Sequence, residues 1–313
     1  MVSQQVNGIG RAAYGLWLTP EATIESMRTG FDGMCPEPPA DAVVAEGRVG
    51  DVPGKWVSVP ESGSTVVVHF HAGGYLIGSS TSHRDMAARI ARAAGARVFL
   101  PDYRLAPENP APAALEDALA VHHGVLADGT APADLVVSGD SAGGGLALSL
   151  LVSLRDAAAP LPAAAFLCSP WADLTLSGDS MEGRAAADPL VSREVLQGMA
   201  DGYLGGTGIP ATDLRVSPLF ADLSGLPPLL VQAGTSEVLE DDAVRIVDRV
   251  LTARGDATLQ LGYEMVHVYQ MFADRIPEAA DAIERIGAFV RAHAGRTVPA
   301  VPAAPGGVGA MQI

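Results

Sequence analysis

Short apolar runs alternate with longer stretches of helical periodicity from about residue 56 onward. Runs at 66–71, 97–102, 134–140, 163–169, 228–234 and 257–263 read as strands, since each is a compact apolar block bounded by turn residues. Helical patterns lie between many of them, at 82–94, 112–127, 143–158, 240–254 and 277–294. Near-continuous apolar strands alternating with helices predict an α/β class, with a mostly parallel central sheet covered by helices on both faces. The first 50 or so residues lack strong strand signals. Thr19-Pro20-Glu21 reads as a helix start, with Thr as N-cap and Pro at the first helical position. Ile24, Met27 and Phe31 then give that helix one apolar face.

One gap breaks the rhythm. Nearly sixty residues between 169 and 228 carry no clear strand, only a helical stretch near 192–204. That is too long for an ordinary connection. It predicts an insertion above the C-terminal edge of the sheet, packed with the N-terminal helix as a lid. The expected organisation is therefore a cap from residues 1–45 and 181–215, a core from 46–180 and 216–295, and a flexible Pro/Gly/Ala-rich tail at 296–313.

Composition narrows the function classes. With 48% hydrophobic residues the chain has material for a sizeable core, and 20 Lys+Arg against 36 Asp+Glu leave a net charge of −16. Such a surface repels phosphate backbones and anionic membranes, so no nucleic-acid or membrane partner is expected. The two cysteines, Cys35 and Cys168, are far apart and form neither a disulfide framework nor a metal-ligand spacing. No signal-peptide pattern or membrane-length apolar run is read, and a cytoplasmic protein is expected.

Gly139-Asp140-Ser141-Ala142-Gly143 fits the G-x-S-x-G nucleophile elbow. The pattern alone is weak, but it follows a strand run and opens a helical one. A strand–turn–helix elbow exposes a serine hydroxyl on a strained turn, close to the positive end of a helix. The glycine spacing of a dinucleotide site is missing, and no phosphate-loop Lys follows. Upstream, His71-Ala72-Gly73-Gly74-Tyr75 ends a strand and looks like an oxyanion loop, with Gly73 and Gly74 as N–H donors joined by Ala142. A serine nucleophile also needs a base, and an acid to orient it, in the chain order Ser, acid, His. Of 7 His, only His267 and His293 follow Ser141. His267 lies just after a strand and is the expected base; His293, late in the last helix, reads as solvated. Glu237 comes first after the strand at 228–234 and is the expected acid, with Asp241 the alternative. Glu240 and Asp242 read as first-turn carboxylates of a helix. Trp171, Met199, Tyr203, Leu204, Leu18 and Trp17 are the candidate pocket residues.

These motifs together resemble the bacterial hormone-sensitive-lipase-like esterases of the α/β-hydrolase fold, from about Val66 to Met271. Asp102-Tyr103-Arg104-Leu105-Ala106-Pro107-Glu108, Ser169-Pro170-Trp171 and Ser217-Pro218-Leu219 add to the resemblance. It implies an eight-stranded core, a helical cap, no cofactor, a frequent homodimer and esters with short to medium acyl chains. Within the family the chain is most similar to monoterpene ε-lactone hydrolases or acetyl hydrolases. Two positions depart from the pattern: Ala72 replaces the first Gly of H-G-G-G, and Glu237-Val238-Leu239 stands where Asp-Pro-Leu is usual. From the residues alone, an amidase or peptidase would use the same groups, and a non-catalytic binding module is the rival of a different class.

Overall fold

The computed structural model describes residues 22–295, together with Gly8. The six apolar runs form strands of one sheet, β3 (Val66–Phe70), β4 (Arg97–Pro101), β5 (Leu135–Asp140), β6 (Ala164–Cys168), β7 (Leu229–Gly234) and β8 (Ala257–Gly262). Every residue of β3, β5, β6 and β7 is buried, which is why these runs are apolar throughout rather than alternating. The sheet has eight strands in the order β1-β2-β4-β3-β5-β6-β7-β8.

Two further strands, β1 (Val43–Val49) and β2 (Val52–Ser58), complete the expected eight; β1 lies in the stretch that lacks strong strand signals. They form an antiparallel hairpin at the sheet's edge, with Val49 opposite Val52. The two-residue turn is Gly50-Asp51, with φ of 55° and 64°. Positive φ at both positions matches the right-handed twist of the strands. β1 is largely exposed and carries Glu46, Gly47 and Arg48, so it lacks an apolar run. The signal that marks it is the Gly-Asp turn between two valine-rich segments, not hydrophobicity.

Eight helices are used below: α1 (Ile24–Asp32), α2 (Arg84–Ala94), α3 (Ala113–Ala127), α4 (Ala142–Asp156), α5 (Ser180–Gly183), α6 (Arg193–Leu204), α7 (Glu240–Thr252) and α8 (Pro277–His293). Helix α2 packs with α8, and α3 with α4, against the sheet. The N-cap predicted at Thr19 lies outside the described residues; α1 begins at Ile24, capped by Thr23 in a reciprocal capping box with Ser26. No strand interrupts the segment between β6 and β7, which carries α5 and α6. No helix among the described residues is long and apolar enough to cross a membrane.

The topology places the site. From β3 the chain passes to β4 on one side and then to β5 on the other, so strand order reverses at the β3–β5 pair. A crevice opens at the C-terminal ends of parallel strands at such a switch point. The loops leaving β3 and β5 there are His71–Gly74 and the turn at Ser141.

Candidate active site

Ser141 sits between β5 and α4 with φ 52° and ψ −122°, a conformation L-residues rarely adopt. Backbone bonds impose that strain: the Ser141 N–H donates to the Cys168 carbonyl, and the Ser141 carbonyl accepts from Gly144, Gly145 and Trp171. The small neighbours are required by close approach. A Cβ on Gly143 would lie 2.0 Å from the Phe70 carbonyl oxygen, and one on Gly145 would lie 2.0 Å from that of Trp171. Both distances are inside contact range, so the G-x-S-x-G spacing reflects where helix α4 meets the neighbouring backbone.

The Ala72–Gly74 loop faces this turn. Gly73 has φ 121°, and a side chain there would strike the Ile77 carbonyl, whereas the Ala72 position tolerates its methyl. Among the described residues, the N–H groups of Gly73, Gly74 and Ala142 have no acceptor. His71 is buried against Tyr103 with rings stacked 4.2 Å apart, and its Nδ1 donates to the Ala72 carbonyl at 2.7 Å. Burial pushes its pKa down to about 3, so it is a neutral imidazole that supports the loop. The Tyr103 hydroxyl donates to the His71 carbonyl. The Asp102–Glu108 segment therefore braces the loop, and Glu108 pairs with Arg28 of α1 at 2.7 Å.

Beneath the elbow, His69, His83 and Asp140 form the one buried His/carboxylate cluster among the described residues with a geometry that a metal ion would accept. Here the His69 and His83 Nε2 atoms lie 3.0 and 3.1 Å from separate oxygens of Asp140. Ser138 and Ser82 hold the opposite ring nitrogens. The hydrogen-bonded groups satisfy one another. Burial disfavours the Asp140 carboxylate, but the two imidazoles outweigh it and hold the carboxyl below its ordinary range.

The structure brings His267 and Glu237 to Ser141 across long separations in sequence. His267 Nε2 lies 2.9 Å from Ser141 Oγ, and His267 Nδ1 lies 3.5 Å from Glu237 Oε2. The second separation suits an ion pair and exceeds a good hydrogen bond; such contacts tighten when substrate binds. Nδ1 of His267 and Oε1 of Glu237 are buried without a hydrogen bond among the described residues. Burial works against a charged His267, but Glu237, Asp188 and Asp140 overcome it and raise the pKa above the ordinary imidazole value. Glu237 is also raised, by burial first, with His267 and Ser169 offsetting part of it. Asp241 faces elsewhere, accepting the N–H of Ser180 at 2.8 Å. Asp242 accepts the N–H groups of Ala172 and Asp173, and His293 is half-buried, with Nδ1 donating to the Phe289 carbonyl.

A cleft of about 40 Å³ opens at Ser141 and His267. Its walls include Phe31 of α1, Leu190, Val191, and Val195, Leu196 and Met199 of α6. Of the predicted pocket residues, Met199 lines it. Trp171, Tyr203 and Leu204 do not: Trp171 is fully buried with its indole N–H on the Asp173 carbonyl, and Tyr203 stacks on Tyr75 at 3.9 Å. Leu204 packs against the core. Trp171 and Tyr203 belong to the packed interior, while Phe31, Met199 and the branched residues Leu190, Val191, Val195 and Leu196 make the wall. Leu18 and Trp17 lie outside the described residues. A larger cleft of about 360 Å³ lies away from Ser141, against β8 and α8. Sequence reasoning missed Ser169 and Asp188 as site residues. Ser169 was visible only as part of Ser-Pro-Trp, and Asp188 carries no local signal beyond Asp188-Pro189.

A model of the α/β-hydrolase fold matches residues 67–271. An acetyl-hydrolase of Streptomyces hygroscopicus is 41% identical over 285 residues, covering 89% of this chain and 93% of that protein. A crystal structure of an esterase from the bacterial hormone-sensitive lipase family superposes with a TM-score of 0.89 at 42% identity, covering 94% of this chain and 98% of that one. The chain is a hormone-sensitive-lipase-like α/β-hydrolase. An esterase of Acinetobacter venetianus is 37% identical over 242 residues, 77% of this chain and 80% of that protein. A further solved structure, that of EstE5 soaked with p-nitrophenyl butyrate, has a TM-score of 0.88 at 39% identity over 93% of this chain and 98% of its own.

Proposed function

We propose that this hydrolase is a serine carboxylesterase acting on short-chain carboxylic esters through an acyl-Ser141 intermediate. The observation that carries the reading is the 2.9 Å contact of Ser141 Oγ with His267 Nε2 at the mouth of an apolar cleft. Ser141 Oγ attacks the ester carbonyl while His267 takes its proton. Glu237 holds the imidazole orientation and stabilises the imidazolium. The N–H groups of Gly73, Gly74 and Ala142 receive the oxyanion, each donor worth about 2.7–4 kcal/mol of barrier. The imidazolium returns its proton to the leaving alcohol, and water, activated by the same base, releases the acid.

A space of 40 Å³ supports the short end of the acyl range, since it holds only a few water-sized groups. In this reading residues 181–215, with the N-terminal segment, form the cap, because Val195, Leu196 and Met199 roof the cleft. The expected tail at 296–313 lies outside the described residues. A reducing, cytoplasmic setting is supported by two unpaired cysteines, and a homodimer by the open edge at β8, where Leu261 and Tyr263 are exposed. The test is a panel of p-nitrophenyl esters of increasing chain length, with lactones included, run on the wild type and on Ser141→Ala. Ser141→Ala is expected to lose ester turnover while keeping its fold, and to resist labelling by an organophosphonate. Turnover retained in that variant sinks the assignment.

A further inference from the structure

Between α5 and α6 the chain crosses over the cleft, and one residue of that crossing is tied to two parts of the site. Asp188 Oδ1 accepts the backbone N–H groups of Leu190 at 2.8 Å and Val191 at 2.9 Å. Its other oxygen, Oδ2, accepts the N–H of Val238 at 2.9 Å. Leu190 and Val191 are walls of the cleft, and Val238 directly follows Glu237. A local Asx-type turn needs only the first oxygen. The second spans 50 residues of sequence and fastens the cleft wall to the loop that carries the acid.

The same carboxylate lies in the field of the base. The carboxylates that favour a charged His267 are Glu237 first, then Asp188 and Asp140. Glu237 stands 3.5 Å off, with Oε2 engaged by the Ser169 hydroxyl at 2.7 Å, and Asp140 is spanned by its own two imidazoles. Asp188 pairs with no Lys or Arg among the described residues, its three partners being backbone N–H groups that favour the ionised carboxylate. Burial of the residue works the other way.

We propose that Asp188 is a positioning residue of the esterase, which fastens the acyl wall to the acid loop and supplies a second negative charge to the imidazolium formed on His267. This rests on the reading of Ser141 and His267 as nucleophile and base. A negative charge nearby favours imidazolium, so its removal lowers the pKa of His267 and moves the acid limb of kcat/KM to lower pH. Loosening the wall lets longer acyl chains fit better relative to acetate.

The experiment measures kcat/KM against pH, and the hexanoate-to-acetate ratio with p-nitrophenyl esters, for wild type, Asp188→Asn and Asp188→Ala. Asp188→Asn has nearly the same size, so it carries the test where Asp188→Ala does not fold. The expected result is an acid limb lowered by roughly half a pH unit or more, with a hexanoate-to-acetate ratio raised roughly threefold or more. A merely structural role would lower the melting temperature and leave the limb in place. An unmoved limb overturns the electrostatic half of the proposal, and an unmoved ratio overturns the anchoring half. Failure of the esterase reading is recognised separately, by a wild type that neither hydrolyses the esters nor takes the organophosphonate.

Discussion

Ser169→Ala removes one oxygen that joins the acid to the base loop. The Ser169 hydroxyl donates to Glu237 Oε2 at 2.7 Å and accepts the N–H of Val268 at 3.0 Å, the residue after His267. Both contacts are buried, so water does not replace them. A hydrogen bond to an ionised group contributes about 1.5–3 kcal/mol, and a buried N–H left without a partner costs about 1–3 kcal/mol. Part of this total falls on stability. At about 2–4 °C per kcal/mol for a chain of this size, a melting temperature lower by about 5 °C or more is expected. The rest falls on the placement of Glu237 and His267. If about 1.4 kcal/mol reaches the transition state, kcat drops about tenfold. KM should hold, because Ser169 does not line the cleft. Steady-state hydrolysis of p-nitrophenyl acetate and a thermal melt, on the same preparations, read all three quantities. A variant with kcat within about twofold of wild type would falsify the idea that this hydroxyl positions the acid.

The raised pKa of His267 places the acid limb of the wild-type kcat/KM above pH 6.5, activity rising with pH as the imidazole loses its proton. Glu237→Gln removes the main group opposing burial there, so the limb moves down and kcat falls by about 10³–10⁴-fold; a limb that stays in place counts against the pairing. Asp241→Ala is expected to leave kcat within about threefold of wild type, and a larger loss than from Glu237→Ala reverses the choice of acid. Gly145→Ala drives a methyl to 2.0 Å from the Trp171 carbonyl oxygen, which costs about 1–3 kcal/mol or more in chemical denaturation, and an unchanged midpoint refutes the close approach. Met199 abuts Gly74 across the cleft, so Met199→Ala should raise hexanoate relative to acetate by several-fold; an unaltered ratio means the chain limit is set elsewhere.

The legible parts of the chain share a cause. Strands β3, β5, β6 and β7 are buried on both faces, so their requirement is simply apolarity, and it shows in any window of five residues. Strand β1 escaped because an exposed edge strand needs no apolar run; the Gly50-Asp51 turn was the better clue. The elbow and the glycine loop were legible because close backbone approach restricts residue type at fixed spacing. The pocket was the least legible part. Trp171 and Tyr203 are apolar side chains that suit either a pocket or a core, and the fold uses both in its packed interior. Leu190 and Val191 are ordinary residues whose role comes from a loop folding back over Ser141.

Local pattern was enough to mark the sheet class, the elbow at Ser141 and the glycine loop, and the order Ser141, Glu237, His267 was an expectation taken from the fold. Each of these depends on neighbours within a few residues, or on chain order in a fixed fold. The choice of Glu237 over Asp241 at the side of His267 depended on which carboxylate the β7 loop turns toward the β8 loop. Ser169 and Asp188 gained their places in the same way, because their partners lie at distances of about 50 to 100 residues along the chain. Contacts between segments so far apart leave no periodicity to read, and only the three-dimensional packing of those segments brings them within hydrogen-bonding range.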